Sequence, residues 1–195
     1  IDESIEIMHW ALKQADPLDG LRSGKATEQQ EIKQLIDQND GPFKYHLDRF
    51  KYACRFQGEA AEKHRNMAKE ILLEWNIRLA KQVSNDSHGW LVGQSQSLAD
   101  WAIWPFVRQY RLADPSSFDL DQDLQAIKRW LEAFLKHPLF VRLMTPTQPW
   151  QKEDPPKNFP ADASLVNTNQ SLFHLALIED WEEGCKQGIY QYSTR

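Results

Sequence analysis

Few residues in this chain are of types and spacings that do chemistry, and most of them have a structural use as well. Ser97 and Asp100 are spaced for a capping box. A Ser hydroxyl at the head of a helix accepts from a free backbone N–H, and a carboxylate three residues later reaches back to the cap. Glu3 and Ser4 stand at the head of another helical pattern, where the same groups can serve as caps. His46, Arg49 and Tyr52 lie on the first long helical stretch and read, as residues, as a solvated face with one core edge. Cys54 has apolar neighbours, so a packed and inert thiol is expected. His174 is a lone histidine in a strand-like run and reads as structural.

Other chemistries lack their motifs. The six histidines and two cysteines show no His-x-x-x-His or Cys-x-x-Cys spacing, so no zinc site is expected. The eight glycines form no Gly-x-Gly cluster, which leaves nucleotide binding without a motif. A net charge of -5 argues against a nucleic-acid footprint. No apolar run approaches the roughly 20 residues of a membrane helix, and no leader is visible. Cys54 and Cys185 are far apart in sequence, which suits a reducing cytoplasm without a disulfide framework. The chain opens on Ile1 and stops at Ser193-Thr194-Arg195, so it is expected to be a piece of a longer protein. Eight tryptophans in 195 residues point to an aromatic-rich core or cleft.

These side chains need elements to hold them, and helical periodicity supplies most of those. Residues 2–12 predict a short helix with Ile5, Met8 and Leu12 on one face. A turn-rich loop runs through Asp16-Pro17-Leu18-Asp19-Gly20 to Ala26. Thr27 with Gln30 predicts a capping box for the next helix, whose stripe is Ile32, Leu35 and Ile36. Asn39-Asp40-Gly41-Pro42 predicts a break, and Pro42 suits the first turn of a helix over 43–56 with Leu47, Phe50 and Cys54 inward. The longest pattern, 58–82, has the stripe Ala60, Met67, Ile71, Trp75 and Leu79, with Ala68 and Leu72 beside it. A polar loop over 84–96 is broken by Trp90-Leu91-Val92. The capped helix is expected over 98–111, with Pro105 removing one backbone hydrogen bond and Trp101, Trp104 and Phe106 in the core. A loop through Asp114-Pro115 leads to a helix over 121–136 carrying Leu124, Ile127, Leu131 and Leu135, with Trp130 and Phe134 alongside. Pro138 opens a last short helix to Met144. Five of the ten prolines fall between Pro146 and Pro160, which marks 145–169 as a linker. Residues 172–176 then read as a strand and 179–187 as a helix, the opening of a second module.

Three separated segments resemble the cytosolic glutathione S-transferase family. Ile1-Asp2-Glu3-Ser4-Ile5-Glu6-Ile7-Met8 is similar to the end of the family's thioredoxin-like half, where an acidic-Ser pair precedes a helix. Asn39-Asp40-Gly41-Pro42-Phe43-Lys44-Tyr45-His46-Leu47-Asp48-Arg49 is similar to the first long helix of the all-helical half in a bacterial branch. Ser97 to Tyr110, following Gly89-Trp90-Leu91-Val92-Gly93, resembles the buried core helix of that half. Gln96 departs from the pattern, since the family has an apolar residue before the cap. Residues 170–195 resemble the start of a small bacterial domain of unknown function, through Phe173-His174-Leu175, Trp181 and Gly188-Ile189-Tyr190.

The resemblance implies a mainly α fold: a transferase-type C-terminal helical bundle with a truncated α/β segment at the C-terminus. The implied order is the last helix of a thioredoxin-like domain at 1–14, the all-helical domain at 27–144, the linker at 145–169 and the second domain from 170 to 195. It implies glutathione as co-substrate without a metal, with Glu3 and Ser4 holding its γ-glutamyl end. A helix N-terminus and a hydroxyl suit the carboxylate, and the acid suits the ammonium. His46, Arg49 and Tyr52 would border the pocket of a small second substrate, and Ser97 and Asp100 would be a structural cap. The family's Cys, Ser or Tyr that acts on sulfur and its cis-proline precede the residue matched by Ile1, so this piece alone is expected to be inactive. Conjugation to an electrophile and thiol transfer on a disulfide both remain open. A homodimer is implied by the family, with no nucleic-acid or membrane partner. The alternative reading is a non-catalytic docking or assembly module.

Overall fold

The computed structural model describes residues 3–56, 58, 60–83, 88–144 and 152. The linker and strand expectations for 145–195, with His174 and Cys185, lie outside the described residues apart from Lys152. The chain divides into two compact units, Ile1–Phe134 and Leu135–Arg195. Among the described residues all regular structure is helical.

In the first unit, α1 (Ser4–Gln14) starts two residues later than its periodicity predicts and buries none of its side chains; Ile7 and Trp10 are 53% and 57% exposed. The connection to α2 (Ala26–Gln38) is tied down by polar groups. The Asp16 carboxylate accepts from Gly20 N at 2.7 Å and Leu21 N at 2.8 Å. Arg22, 2% exposed at φ +53°, pairs with Glu28 at 2.9 Å and donates to the carbonyls of Asp19, Val92 (3.0 Å) and Ser95. A buried guanidinium must use its donors or lose several kcal/mol of solvation, so this arginine fastens the connection to the 92–95 loop.

The predicted Thr27–Gln30 box does not form: α2 begins at Ala26 after Lys25, and no side chain caps it. Its stripe of Ile32, Leu35 and Ile36 is buried as expected. The Asn39-Asp40-Gly41-Pro42 signal does not end the helical path either. The chain passes through a π-helical turn, Asn39–Phe43, and re-enters an α-helix, α3 (Lys44–Lys51). Widening one turn accommodates Pro42, which has no N–H to give to a tighter one. Helix α3 stops five residues before its predicted end, and Ala53–Arg55 forms a 3-10 turn. Leu47 is buried and Phe50 half-buried, but Cys54 is exposed. The packed-thiol expectation fails because that side chain leaves the helix before its apolar face reaches it.

Helix α4 (Ala61–Ala80) buries Ala68, Ile71, Leu72, Trp75 and Leu79. Met67 and Ala60 are exposed, and His64 takes the buried place one turn before Ala68. Trp75 Nε1 donates to Gln38 Oε1 at 2.7 Å, which satisfies the one polar atom of a large buried ring. Helix α5 (Leu98–Ala113) runs through Pro105. Trp101, Trp104 and Phe106 are half-buried, at the edge of the core. Trp101 meets Phe134 edge-on at 5.1 Å, and Trp104 stacks on the same ring at 5.4 Å. Residues 115–120, expected as loop, form α6 (Pro115–Leu120), capped by Asp114 and opened by Pro115 in the first turn. A 3-10 turn, Gln122–Leu124, leads into α7 (Gln125–Leu135). Asn76 of α4 caps that helix from outside, its Oδ1 accepting from Ala126 N at 2.9 Å and Ile127 N at 3.0 Å. In the second unit, α8 (Pro138–Leu143) opens on Pro138, with His137 as its cap.

The Ser97–Asp100 capping box is present, and Asp100 does more than cap. The carboxylate is fully buried. Its two oxygens accept from Leu91 N (3.0 Å), Trp130 Nε1 (3.0 Å), Ser97 N (2.8 Å) and Ser97 Oγ (2.7 Å). Burial pushes this carboxyl above the usual carboxylate range, opposed by the four donors. Beside it, Gly89 at φ +79° closes the loop so tightly that a Cβ would stand 2.6 Å from the Leu79 carbonyl oxygen.

Three stability outcomes follow, all measurable by urea or thermal unfolding. Asp100→Ala leaves four buried donors without an acceptor and is expected to cost at least about 3 kcal/mol. Ser97→Ala, which removes only the hydroxyl, is expected to cost about 1–2 kcal/mol. Gly89→Ala is expected to cost clearly more than Gly24→Ala. Gly24 has a similar φ of +83° but open space around it, so its substitution carries only the left-handed strain of about 1–2 kcal/mol.

Candidate functional site

The amphipathic pattern of α3 decides which of its side chains are available. Phe43 and Leu47, one turn apart, are fully buried; Phe43 meets the Trp75 ring at 4.9 Å and Phe50 the Tyr110 ring at 5.4 Å. Tyr45, His46 and Arg49 are therefore turned to the other side. His46 is half-buried, and its Nδ1 lies 2.8 Å from Nδ1 of His64 on α4. Tyr45 meets both imidazoles edge-on, at 5.1 and 5.9 Å. The Arg49 guanidinium lies 3.6 Å from the Tyr45 ring centre and 4.6 Å from that of Phe56, a cation held between two π faces. These five side chains form one cluster on the seam between α3 and α4.

Tyr52 belongs to a second group. Its ring lies under Lys51 at 4.8 Å and Arg55 at 4.5 Å. Lys51 Nζ donates to Gln109 Oε1 of α5 at 2.6 Å. Burial lowers the Lys51 pKa; Asp48 opposes this, and the charges of Arg108 and Arg55 add to it. Burial likewise lowers Arg108, with a further push from Arg111. This end of α3 is thus a place where cations gather. The sequence-predicted trio is split by the fold: His46 and Arg49 come together, and Tyr52 sits with the cations.

Glu3 and Ser4 stand at the head of α1, both exposed. Glu3 occupies the position before the first helical residue, yet its side chain makes no cap hydrogen bond. Its backbone carbonyl accepts from Glu6 N at 3.1 Å and Ile7 N at 3.3 Å. The capping use open to the pair is therefore not taken by the Glu3 side chain.

The electrostatics show which groups can move protons near neutrality. Burial holds His46 below the ordinary imidazole value, helped by the charges of His64, Arg49 and Lys63 and opposed by Glu70. A neutral imidazole can accept a proton. Tyr110 cannot donate one at physiological pH: burial pushes its phenol up to about 12, and its hydroxyl donates to the Arg65 carbonyl at 3.2 Å. Among the described residues no group of three or more His, Cys, Asp and Glu side chains is placed to hold a metal ion, and no helix is long and apolar enough to cross a membrane.

Sequence reasoning missed His64, Tyr45 and Phe56. For His64 the signal was there: it lies four residues before Ala68 and seven before Ile71, on the buried stripe of α4. Tyr45 and Phe56 become visible only when α3 is seen to end at Lys51 and the chain turns back.

Compared with known families, residues 58–133 match the family described as glutathione S-transferase, C-terminal domain. This stretch runs from just before α4 nearly to the end of α7, and it includes Asp100 with all its donors. Residues 58–133 belong to the glutathione S-transferase C-terminal domain family. No curated protein and no solved structure matches the chain. Within the transferase domain lie the buried capping box, His64 and Arg108. Glu3, Ser4, His46, Arg49, Tyr52 and Cys54 lie before the matched stretch.

The exposure of Cys54 is directly measurable. In a Cys185→Ser variant, one thiol is expected to react within minutes with an aromatic disulfide reagent under native conditions at pH 8. Labelling that required denaturant would contradict the geometry.

Proposed function

We propose that this chain is the helical half of a glutathione transferase-like enzyme and serves a reaction of the glutathione thiolate, conjugation to a small electrophile or thiol transfer on a disulfide. The observation that supports this most is the family match over 58–133, centred on the capped helix whose residues pointed to the same family. Glutathione is the co-substrate in this reading. Its γ-glutamyl carboxylate takes the Ser4 hydroxyl and the free N–H groups of α1, and its ammonium takes Glu3, whose side chain is not engaged as a cap.

The group that stabilises the thiolate belongs to the family's other half, whereas the match here is to the C-terminal domain. The second substrate meets α3. In that place Arg49, held between Tyr45 and Phe56, presents a flat cation, and His46 presents an imidazole that is neutral at pH 7. Tyr52, with Lys51 and Arg55, stands apart from them at the cationic end of α3.

The test uses the whole gene product, assayed with glutathione and both substrate classes. Ser4→Ala and Glu3→Gln are each expected to raise KM for glutathione about tenfold or more, the loss of a hydrogen bond to a charged group being about 1.5–3 kcal/mol, with kcat little changed. Residues 1–195 alone are expected to show neither turnover nor tight glutathione binding by calorimetry. Tight binding by this piece, or an unchanged KM in both variants, would overturn the assignment.

A further inference from the structure

The contact between His46 and His64 constrains protonation whatever reaction the protein serves. At 2.8 Å between the two Nδ1 atoms, one nitrogen carries the hydrogen and the other supplies the lone pair. A pair of neutral rings satisfies this. A pair carrying one extra proton satisfies it too, as a charge-assisted N–H···N bond. Two imidazolium rings do not: both Nδ1 atoms then carry hydrogens, no acceptor remains between them, and two positive charges stand in contact. His64 is 6% exposed, so water does not readily screen that repulsion.

We propose that the His46–His64 pair is a pH-dependent latch, holding α3 on α4 while it carries no more than one extra proton and releasing α3 when the second proton arrives. The latch joins two elements that pack directly on one another. On the α3 side it stands beside Tyr45, which meets both rings, and Arg49, whose guanidinium rests on Tyr45. Release therefore frees the Arg49 sandwich and the chain leading to the 3-10 turn at Ala53–Arg55.

The surrounding charges set the direction. From α4, Lys63 and His64 disfavour a proton on His46 and Glu70 favours it; from α3, Arg49 disfavours it. On the other elements packed against α3, the charges are engaged elsewhere. Arg108 of α5 acts on Lys51. Asp40 of the π turn accepts from Asn39 at 2.9 Å, and Arg55 of the 3-10 turn lies over Tyr52. The balance around the pair is cationic. Unfolded imidazoles take protons near the ordinary 6.5, and His46 in the folded chain takes its proton below that. The unfolded chain then binds more protons in this window. The contact's contribution to stability is complete above the unfolded value and is lost as pH falls through the folded one.

The experiment is a pair of measurements on residues 1–195. Histidine ring signals are followed by NMR from pH 8 to pH 5, and backbone amide exchange over 44–51 is compared with that of α7 at pH 7.5 and pH 5. One ring of the pair is expected to stay neutral to a pH clearly below the ordinary imidazole value. Protection of 44–51 relative to α7 is expected to fall at least about tenfold on acidification. In His64→Gln, His46 is expected to titrate closer to 6.5, and the pH dependence of protection over 44–51 is expected to vanish. Two rings titrating together near 6.5 in the unmodified chain would overturn the latch. So would a His64→Gln variant that keeps the original pH dependence. Should that variant fail to fold, the ring titration of the unmodified chain decides alone.

Discussion

The Asp100 carboxylate is the point at which separate pieces of the chain meet. A single side chain, with no access to water, takes the N–H of Leu91 from the loop, both donors of Ser97 from the helix start and the indole N–H of Trp130 from α7. A buried carboxylate is costly unless its lone pairs are filled. Any arrangement of loop, α5 and α7 that failed to bring all four donors in would carry that cost. The requirement therefore works as a register mark. It fixes where the 89–97 loop crosses, and Gly89 passes so close to the Leu79 carbonyl that a side chain there would push the loop away.

From this centre outward, polar groups fasten what apolar packing alone leaves adjustable. Arg22 locks the α1–α2 connection to the 92–95 loop. Leu98 N, one of the free donors at the head of α5, is satisfied by the Gly20 carbonyl at 2.9 Å. Asn76 caps α7 from the side of α4, and Gln38 holds the Trp75 indole across the α2–α4 seam. In each case a side chain on one element completes the hydrogen bonding of another. The seam between α3 and α4 is different in kind. Its polar contact joins two imidazole Nδ1 atoms at 2.8 Å, a bond that needs a lone pair on one ring and a hydrogen on the other.

The capping box was legible from Ser97 and Asp100 because it is local: both partners lie within one turn, and the backbone geometry of a helix start is enough to bring them together. The stripe of α2, most of that of α7 and the second half of that of α4 (Ile71, Trp75 and Leu79) were legible for the same reason, since one face of a helix is set by its own period; Ala60 and Met67, expected on the α4 stripe, are exposed. The errors lie where something outside the segment decided. The Asn39-Asp40-Gly41-Pro42 run has the composition of a break, yet packing on both sides kept the path helical through a widened turn. Cys54 fits an apolar face only if α3 continues to it, and α3 ends at Lys51. The Thr27 hydroxyl was spaced for a cap that the chain did not use.

The sequence by itself determined the helical class, the apolar faces, the capped core helix and the family to which 58–133 belongs. All of these rest on interactions within a few residues, whose geometry a helix dictates in advance. Only the tertiary structure decided that His46 meets His64, that Arg49 lies between Tyr45 and Phe56, that Tyr52 goes to the cations instead, and that Asp100 reaches Trp130 thirty positions away. Those contacts join residues on different elements. Their distances follow from how the helices settle against one another, a quantity set by the volume of the whole core rather than by any one segment's pattern.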